Sequence, residues 1–212
     1  MDNHTTKEDI LIILGDAGIN YYGDWRDERL KLWLSTLPIK LFCIHGNHEM
    51  RPETIDSYGF VPFHGALCWS ESAYPNILFA MDGSVYRFGD KHCLVIGGAY
   101  SIDKYFRLEN GLRWFEDEQP SSYVKHFVQT AIEVNSSINT VLSHTCPYKY
   151  VPTEMFLPQI DQSTVDVSTE KWLDTIEESL NYEQWYCGHY HTDKSIDKIK
   201  FLFNSFDLLT IT

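Results

Sequence analysis

Ile10-Leu11-Ile12-Ile13-Leu14-Gly15-Asp16 is a short apolar run that stops at a glycine and a carboxylate. An unbroken apolar run without helical spacing reads as a strand buried on both faces, as in a parallel sheet. The pattern recurs. Residues 39–44 run into His45-Gly46-Asn47-His48-Glu49, residues 140–142 into Ser143-His144-Thr145, and residues 182–186 lead to Gly188-His189-Tyr190-His191. Between these runs lie amphipathic stretches. Residues 27–37 place Leu30, Trp33, Leu34 and Leu37 at helical spacing, and Pro38 ends the helix. Residues 121–135 form a helix with Tyr123, Phe127 and Ile132 on one side, and residues 168–180 begin with Ser168-Thr169-Glu170-Lys171, a capped helix start. Strands are also expected at 77–80, 85–88, 93–96 and 199–203. Gly83 and Gly89-Asp90 supply turns that make the first three a meander. The order predicts a layered α/β domain, with one mixed sheet or two packed sheets, spanning residues 1–212 as a single unit.

Composition narrows the function. The chain has 212 residues, and its 17 basic and 30 acidic side chains give a formal charge of −13. An acidic chain is ill suited to extended contact with nucleic-acid backbones. A phosphate-bearing substrate stays open, because a bound metal inverts the local charge. The five cysteines are odd in number, lie mostly in apolar runs and form no Cys-x-x-Cys pair. They read as buried free thiols in a reducing, cytoplasmic setting. The polar stretch 1–9 lacks the pattern of a signal peptide, and no apolar run approaches a membrane span.

The strand ends carry the chemistry. In layered α/β proteins, groups at the carboxyl ends of strands converge on one crevice. Asp16, Asn47, His144, His189 and His191 offer one carboxylate, one amide oxygen and three imidazoles, each beside a glycine or at a strand end. Oxygen and imidazole donors without thiolate suit Mn²⁺, Fe, Zn²⁺, Co²⁺ or Ni²⁺. Any one of these residues also fits a structural role: a Gly-Asp pair is a common turn, and a single histidine is commonly a packing residue. A His-x-His pair on an extended segment turns both rings to one face.

Taken in order, Gly15-Asp16, Gly46-Asn47-His48-Glu49, His144 and Gly188-His189-Tyr190-His191 resemble the calcineurin-like metallophosphoesterase family, above all its small bacterial and phage-type members. The resemblance runs from residue 10 to residue 191. It implies a four-layer αββα sandwich of two mixed β-sheets flanked by helices. It also implies hydrolysis of phosphomono- or phosphodiesters by metal-activated water. Asp16 would bridge two ions, Asn47, His144 and His189 would complete the second site, and His191 would belong to the first. His48 would protonate the leaving group as general acid; its structural alternative is a hydrogen-bonding support residue.

The chain departs from the family pattern at its front. The family opens on a strand followed by Asp-x-His. Here Asp2-Asn3-His4 has that spelling without a preceding apolar strand, and too few positions separate His4 from Asp16 for the usual helix and strand. It is read as a chance match. The expectation is therefore one firmly bound ion (Mn²⁺ foremost), a second held weakly or not at all, and reduced activity. The first strand of the fold would be missing. The sheet edge this leaves would be covered by another copy of the chain in a homo-oligomer.

The segment Gly15-Asp16-Ala17-Gly18-Ile19-Asn20 and His45 before Gly46 also differ from the Ser/Thr protein phosphatase branch, which favours a general phosphoesterase. Arg51 and Arg107 are each readable as a phosphate fork or as an ion-paired loop arginine. Residues 97–107 are rich in pocket-lining groups, while 114–120 read equally as a lid or a packing loop. No residue is assigned to substrate binding. The alternatives are a catalytically impaired metal-binding relative acting as a regulatory module, and a nuclease-type phosphodiesterase.

Overall fold

The computed structural model describes residues 5–156 and 158–209. Its first half is β1 (Ile10–Ile13), α1 (Trp25–Ser35), β2 (Lys40–Cys43), β3 (Tyr58–Phe63), β4 (Ala66–Glu71) and β5 (Ile77–Ala80). These strands form one sheet in the order β1-β2-β5-β4-β3, with β1, β2 and β5 parallel and β4 and β3 antiparallel to their neighbours. Among the described residues, β1 is an edge of this sheet. The second half contributes β6 (Val85–Phe88), β7 (Lys91–Ile96), α2 (Lys104–Glu109), α3 (Ser122–Val134), β8 (Thr140–Ser143), α4 (Ser168–Ser179), β9 (Gln184–Cys187), β10 (Lys194–Ile196) and β11 (Ile199–Phe201). Its strands form a second sheet, β10-β11-β9-β8-β7-β6, in which β7, β8, β9 and β11 run parallel.

Strand alternation distributes the apolar side chains over three layers of packing. On β2, Phe42 and the following Ile44 face the second sheet, while Leu41 and Cys43 face α1. On β7, Cys93 and Val95 face the first sheet, while Leu94 and Ile96 face α3 and α4. Between the sheets, Phe42 meets the rings of Phe63, Tyr86 and Phe88. The buried Tyr86 hydroxyl donates to Leu67 O at 2.6 Å and accepts from Met81 N–H at 2.9 Å, so a strand of one sheet is tied to the chain of the other. Outside, Leu30, Leu34 and Leu37 cover the first sheet, and Val128, Ala131, Leu173 and Ile176 cover the second. The four-layer αββα sandwich of two mixed sheets is thus the observed architecture.

Several local expectations are corrected. β5, β6 and β7 are no meander: β5 lies in the first sheet and β6–β7 form a hairpin in the second, so the chain crosses between sheets at the turn around Gly83. Trp33 and Tyr123 sit on helices as expected but face outward, because α1 packs through Leu30 and Leu34 and the buried stripe of α3 runs through Val128 and Ala131. The start of α4 is capped from outside, by Asp166 Oδ1 accepting from Ser168 N–H at 2.9 Å, which leaves Glu170 free for another task. The β3–β4 hairpin, β10 and the short α2 were unforeseen. The hairpin closes on His64-Gly65, both at positive φ (45° and 87°), the conformation of a two-residue turn that follows the strand twist.

Candidate metal centre and active site

Parallel strands of both sheets empty their carboxyl ends at one rim. β1 delivers Gly15-Asp16, β2 delivers Asn47 and His48, β7 leads to Ser101, β8 ends at His144 and β9 at His189. Close approach there requires glycine. A Cβ on Gly15 would stand 2.0 Å from His144 Nδ1, and one on Gly46 would stand 2.0 Å from Asp16 Oδ1. Asp16, His189 and His191 adopt left-handed backbone (φ 52°, 64° and 49°), which non-glycine residues take at a cost tolerated chiefly at functional sites.

Asp16 Oδ1 accepts from His48 N–H at 2.9 Å, and Asp16 Oδ2 lies 3.6 Å from His144 Nε2. Burial raises the Asp16 carboxyl, but the neighbouring His144, His48 and His189 imidazoles and the His48 N–H outweigh it and hold it below its ordinary value. His144 Nδ1 lies 2.7 Å from Leu14 O, which only accepts, so Nδ1 carries a proton and Nε2 is the nitrogen turned to the site. That Nε2 lies 2.7 Å from Asn47 Oδ1, and His189 Nδ1 lies 3.1 Å from the same oxygen. Burial of the His189 ring, reinforced by the neighbouring His144 ring, lowers it to about 3, so it is neutral at physiological pH and fit to donate a lone pair.

Among the described residues, no three His, Cys, Asp or Glu side chains are spaced to hold an ion by themselves. The set that does converge includes the Asn47 amide oxygen. Asp16 Oδ2, Asn47 Oδ1 and His144 Nε2 are acceptors gathered on one another, with His189 Nδ1 beside them. Acceptors facing each other at hydrogen-bond distance repel unless a cation or proton stands between them. The donor chemistry therefore fits a divalent ion of the Mn²⁺–Zn²⁺ series.

His48 flanks this set. Its Nε2 lies 3.3 Å from Asn47 Nδ2 and 3.4 Å from Arg107 Nη2. Both neighbours donate, so Nε2 accepts in the free protein. Burial, with the Arg107 charge, lowers the imidazole against the opposing pull of Asp16. Arg107 is steadied by Asp103 (2.8 Å) and Tyr21 Oη (3.2 Å). Arg51, by contrast, is committed to a buried ion pair with Asp82 at 2.8 Å and to Asp117 O, which settles it as an ion-paired loop arginine.

His191 stands apart. It is exposed, its ring stacks on Phe203 at 4.5 Å, and no hydrogen bond or ion pair among the described residues joins it to Asp16. Asp2 and His4 lie outside the described residues.

Three supporting carboxylates escaped sequence reasoning or were given other work. Glu49 accepts from Gly46 N–H at 2.8 Å, and burial pushes it up to about 8. Glu118 collects three donors behind Asn47. Glu170 on α4 accepts from Thr145 Oγ1 at 2.8 Å, next to His144, and burial pushes it up to about 7 from its ordinary 4.5. The native state therefore binds this proton more tightly than the unfolded chain, and Glu170's contribution falls as pH rises from about 4.5 through 7. Wild type is expected to lose about 3 kcal/mol relative to Glu170→Gln between pH 4.5 and 8. Denaturant midpoints of both proteins across that window check it, and parallel curves would refute it.

Neither the curated proteins nor the solved structures include a match to this chain. A family description does match: calcineurin-like phosphoesterase, over residues 2–193. That family's chemistry is metal-dependent hydrolysis of phosphoesters. The matched stretch takes in both sheets from β1 to β9 together with every residue gathered at the rim, and the chain belongs to the calcineurin-like phosphoesterase family.

Proposed function

We propose that the chain hydrolyses phosphomono- or phosphodiesters at this rim, with Asp16, Asn47, His144 and His189 holding one divalent ion firmly, Mn²⁺ foremost. The observation that carries the reading is the convergence of acceptor atoms from four loops beside His48. When bound, the ion supplies Lewis-acid polarisation of the phosphoryl oxygens and an acidified water as nucleophile.

The chain's own residues supply the rest. Arg107 offers positive charge at the mouth of the site, 3.4 Å from His48 Nε2. A phosphoester's negative charge arriving there compensates Arg107 and favours a proton on Nε2, which His48 passes to the departing oxygen as general acid. The backbone N–H of His48 keeps Asp16 oriented. A second ion would depend on Asp16 and His191, and the stacking of His191 on Phe203 supports a weak or empty first site and reduced turnover. The same stacking is what favours the impaired, regulatory reading as runner-up. The five buried, unpaired cysteines support a cytoplasmic location, and no helix among the described residues is long and apolar enough to cross a membrane. The net charge of −13 argues against a nuclease with extended nucleic-acid contacts.

The test is metal analysis of protein purified without added metal, followed by chromogenic phosphomono- and diesters with Mn²⁺ or Ni²⁺. One tightly bound ion per chain and metal-dependent turnover abolished by chelation are expected. Two tightly bound ions would refute the weak first site. Bound metal with no turnover of either ester would favour the impaired relative.

A further inference from the structure

Asn47 is the ligand in the proposed set whose side chain ends in two unlike groups on one carbon. Its amide oxygen attracts a cation, and its NH₂ repels one. A flipped amide would even be comfortable in the metal-free protein, because its NH₂ would donate to the lone pair of His144 Nε2. Something must hold the oxygen inward.

The hydrogen bonds behind Asn47 do so. Glu118 Oε2 accepts from Ser101 Oγ at 2.5 Å and from Trp114 Nε1 at 2.8 Å, while Oε1 accepts from Ser101 N–H at 3.1 Å. The Ser101 hydroxyl has a single proton, and Glu118 takes it. Ser101 Oγ then has only lone pairs to show Asn47, and Asn47 Nδ2 donates to it at 2.9 Å. The other Nδ2 proton faces His48 Nε2 at 3.3 Å. With both amide protons engaged on this side, Oδ1 is left facing His144 and His189. Asn47, Ser101 and Glu118 are 1%, 1% and 2% exposed, so water cannot substitute for a missing partner. The bracing loop is itself fixed. Ala99 N–H donates to Glu118 O at 3.1 Å, Arg51 Nε donates to Asp117 O at 2.8 Å, and Gly98 packs where a Cβ would lie 2.4 Å from Glu118 O.

We propose that Ser101 and Glu118 are positioning residues: they lock the Asn47 amide with its oxygen inward and so keep the rim receptive to a cation. The inference rests on the metal-centre reading given above and adds the device that enforces it.

The experiment is Mn²⁺ titration of the metal-stripped full chain by calorimetry, with thermal melts of the metal-free proteins alongside. Ser101→Ala is expected to weaken Mn²⁺ binding by about 10–100-fold, the usual effect of losing a partner behind a ligand. Ser101→Thr, which keeps the hydroxyl, is expected to retain it. The deciding comparison is made in Asn47→Asp, whose carboxylate has two like oxygens and no orientation to choose. There, Ser101→Ala is expected to bring no further loss. Should Ser101→Ala fail to fold, the isosteric Glu118→Gln carries the test, with weakened binding expected in the Asn47 protein and not in Asn47→Asp. Mn²⁺ affinity unchanged in Ser101→Ala, or reduced equally in both backgrounds, would overturn the lock while sparing the metal centre. Failure of the wild type to bind Mn²⁺ would overturn the metal centre and the lock together.

Discussion

His48→Asn is expected to lower kcat on an unactivated phosphoester by about 10²–10⁴-fold while bound Mn²⁺ per chain stays unchanged. The two halves of this result come from different atoms. The backbone N–H of His48 serves the metal set through Asp16, and asparagine retains it. The ring contributes Nε2, which faces Asn47 Nδ2 and Arg107 Nη2 and points at no predicted ligand oxygen. Removing the imidazole removes the proton donor and one of the two acceptors facing the Asn47 NH₂; Ser101 Oγ, at 2.9 Å, still fixes that amide, so the ion's partners stay in place. An aryl ester whose leaving group departs without protonation is expected to show a much smaller defect. Loss of metal in step with activity would identify His48 as a structural residue and overturn its assignment as general acid.

Gly46→Ala carries the second large effect. Gly46 has no need of left-handed backbone, so the substitution is conformationally allowed, and its cost is steric. The new methyl would lie 2.0 Å from Asp16 Oδ1 and 2.2 Å from Asp16 N. The second contact is backbone and cannot rotate away. Either the Asp16 turn or the loop after β2 must move, and both hold predicted ligands. Overpacking of this kind costs about 1–3 kcal/mol, and each kcal/mol lowers Tm by about 2–4 °C in a chain of this size. Mn²⁺ binding is expected to fall below detection, since Asp16 and Asn47 lose their mutual placement. Gly59→Ala is the matched control, because a Cβ there meets nothing within 4 Å. Calorimetric Mn²⁺ titration and melting curves of both variants check the contrast, and a Gly46→Ala protein that binds Mn²⁺ normally would refute it.

The residues explain why some of this structure was legible in the sequence and some was not. The strands that end in the site are short stretches rich in apolar residues, because both of their faces are covered, and β1 is an unbroken apolar run. Asp16, Asn47, His144 and His189 were legible as candidates for the same reason: each stands within a few residues of the end of such a strand, which places it on the rim. The β3–β4 hairpin was hidden because Tyr58–Phe63 carries a glycine and a proline and exposes several of its side chains, so no clean alternation survives. Its turn, His64-Gly65, was the available signal. Choosing the buried face of α3 failed because Tyr123 is large and aromatic but 77% exposed, whereas the smaller Val128 and Ala131 face the sheet. Ser101 and Glu118 could not be paired in advance, because seventeen positions of irregular chain and a short helix separate them, and only the fold brings them together. His191 shows the opposite limit. Its motif places it beside His189, yet the left-handed turn at both residues directs its ring to Phe203.

The rim draws Asp16 and Asn47 from one sheet and His144 and His189 from the other. Elsewhere the two sheets meet mainly through apolar side chains, which tolerate small sliding motions, with the Tyr86 hydroxyl as a directional tie. At the rim they meet through directional bonds to a common point. A cation seated there would act as a clasp across the seam, bearing load as well as doing chemistry. Substitutions that loosen the sandwich far from the rim would then register first as weaker metal retention, before any loss of secondary structure.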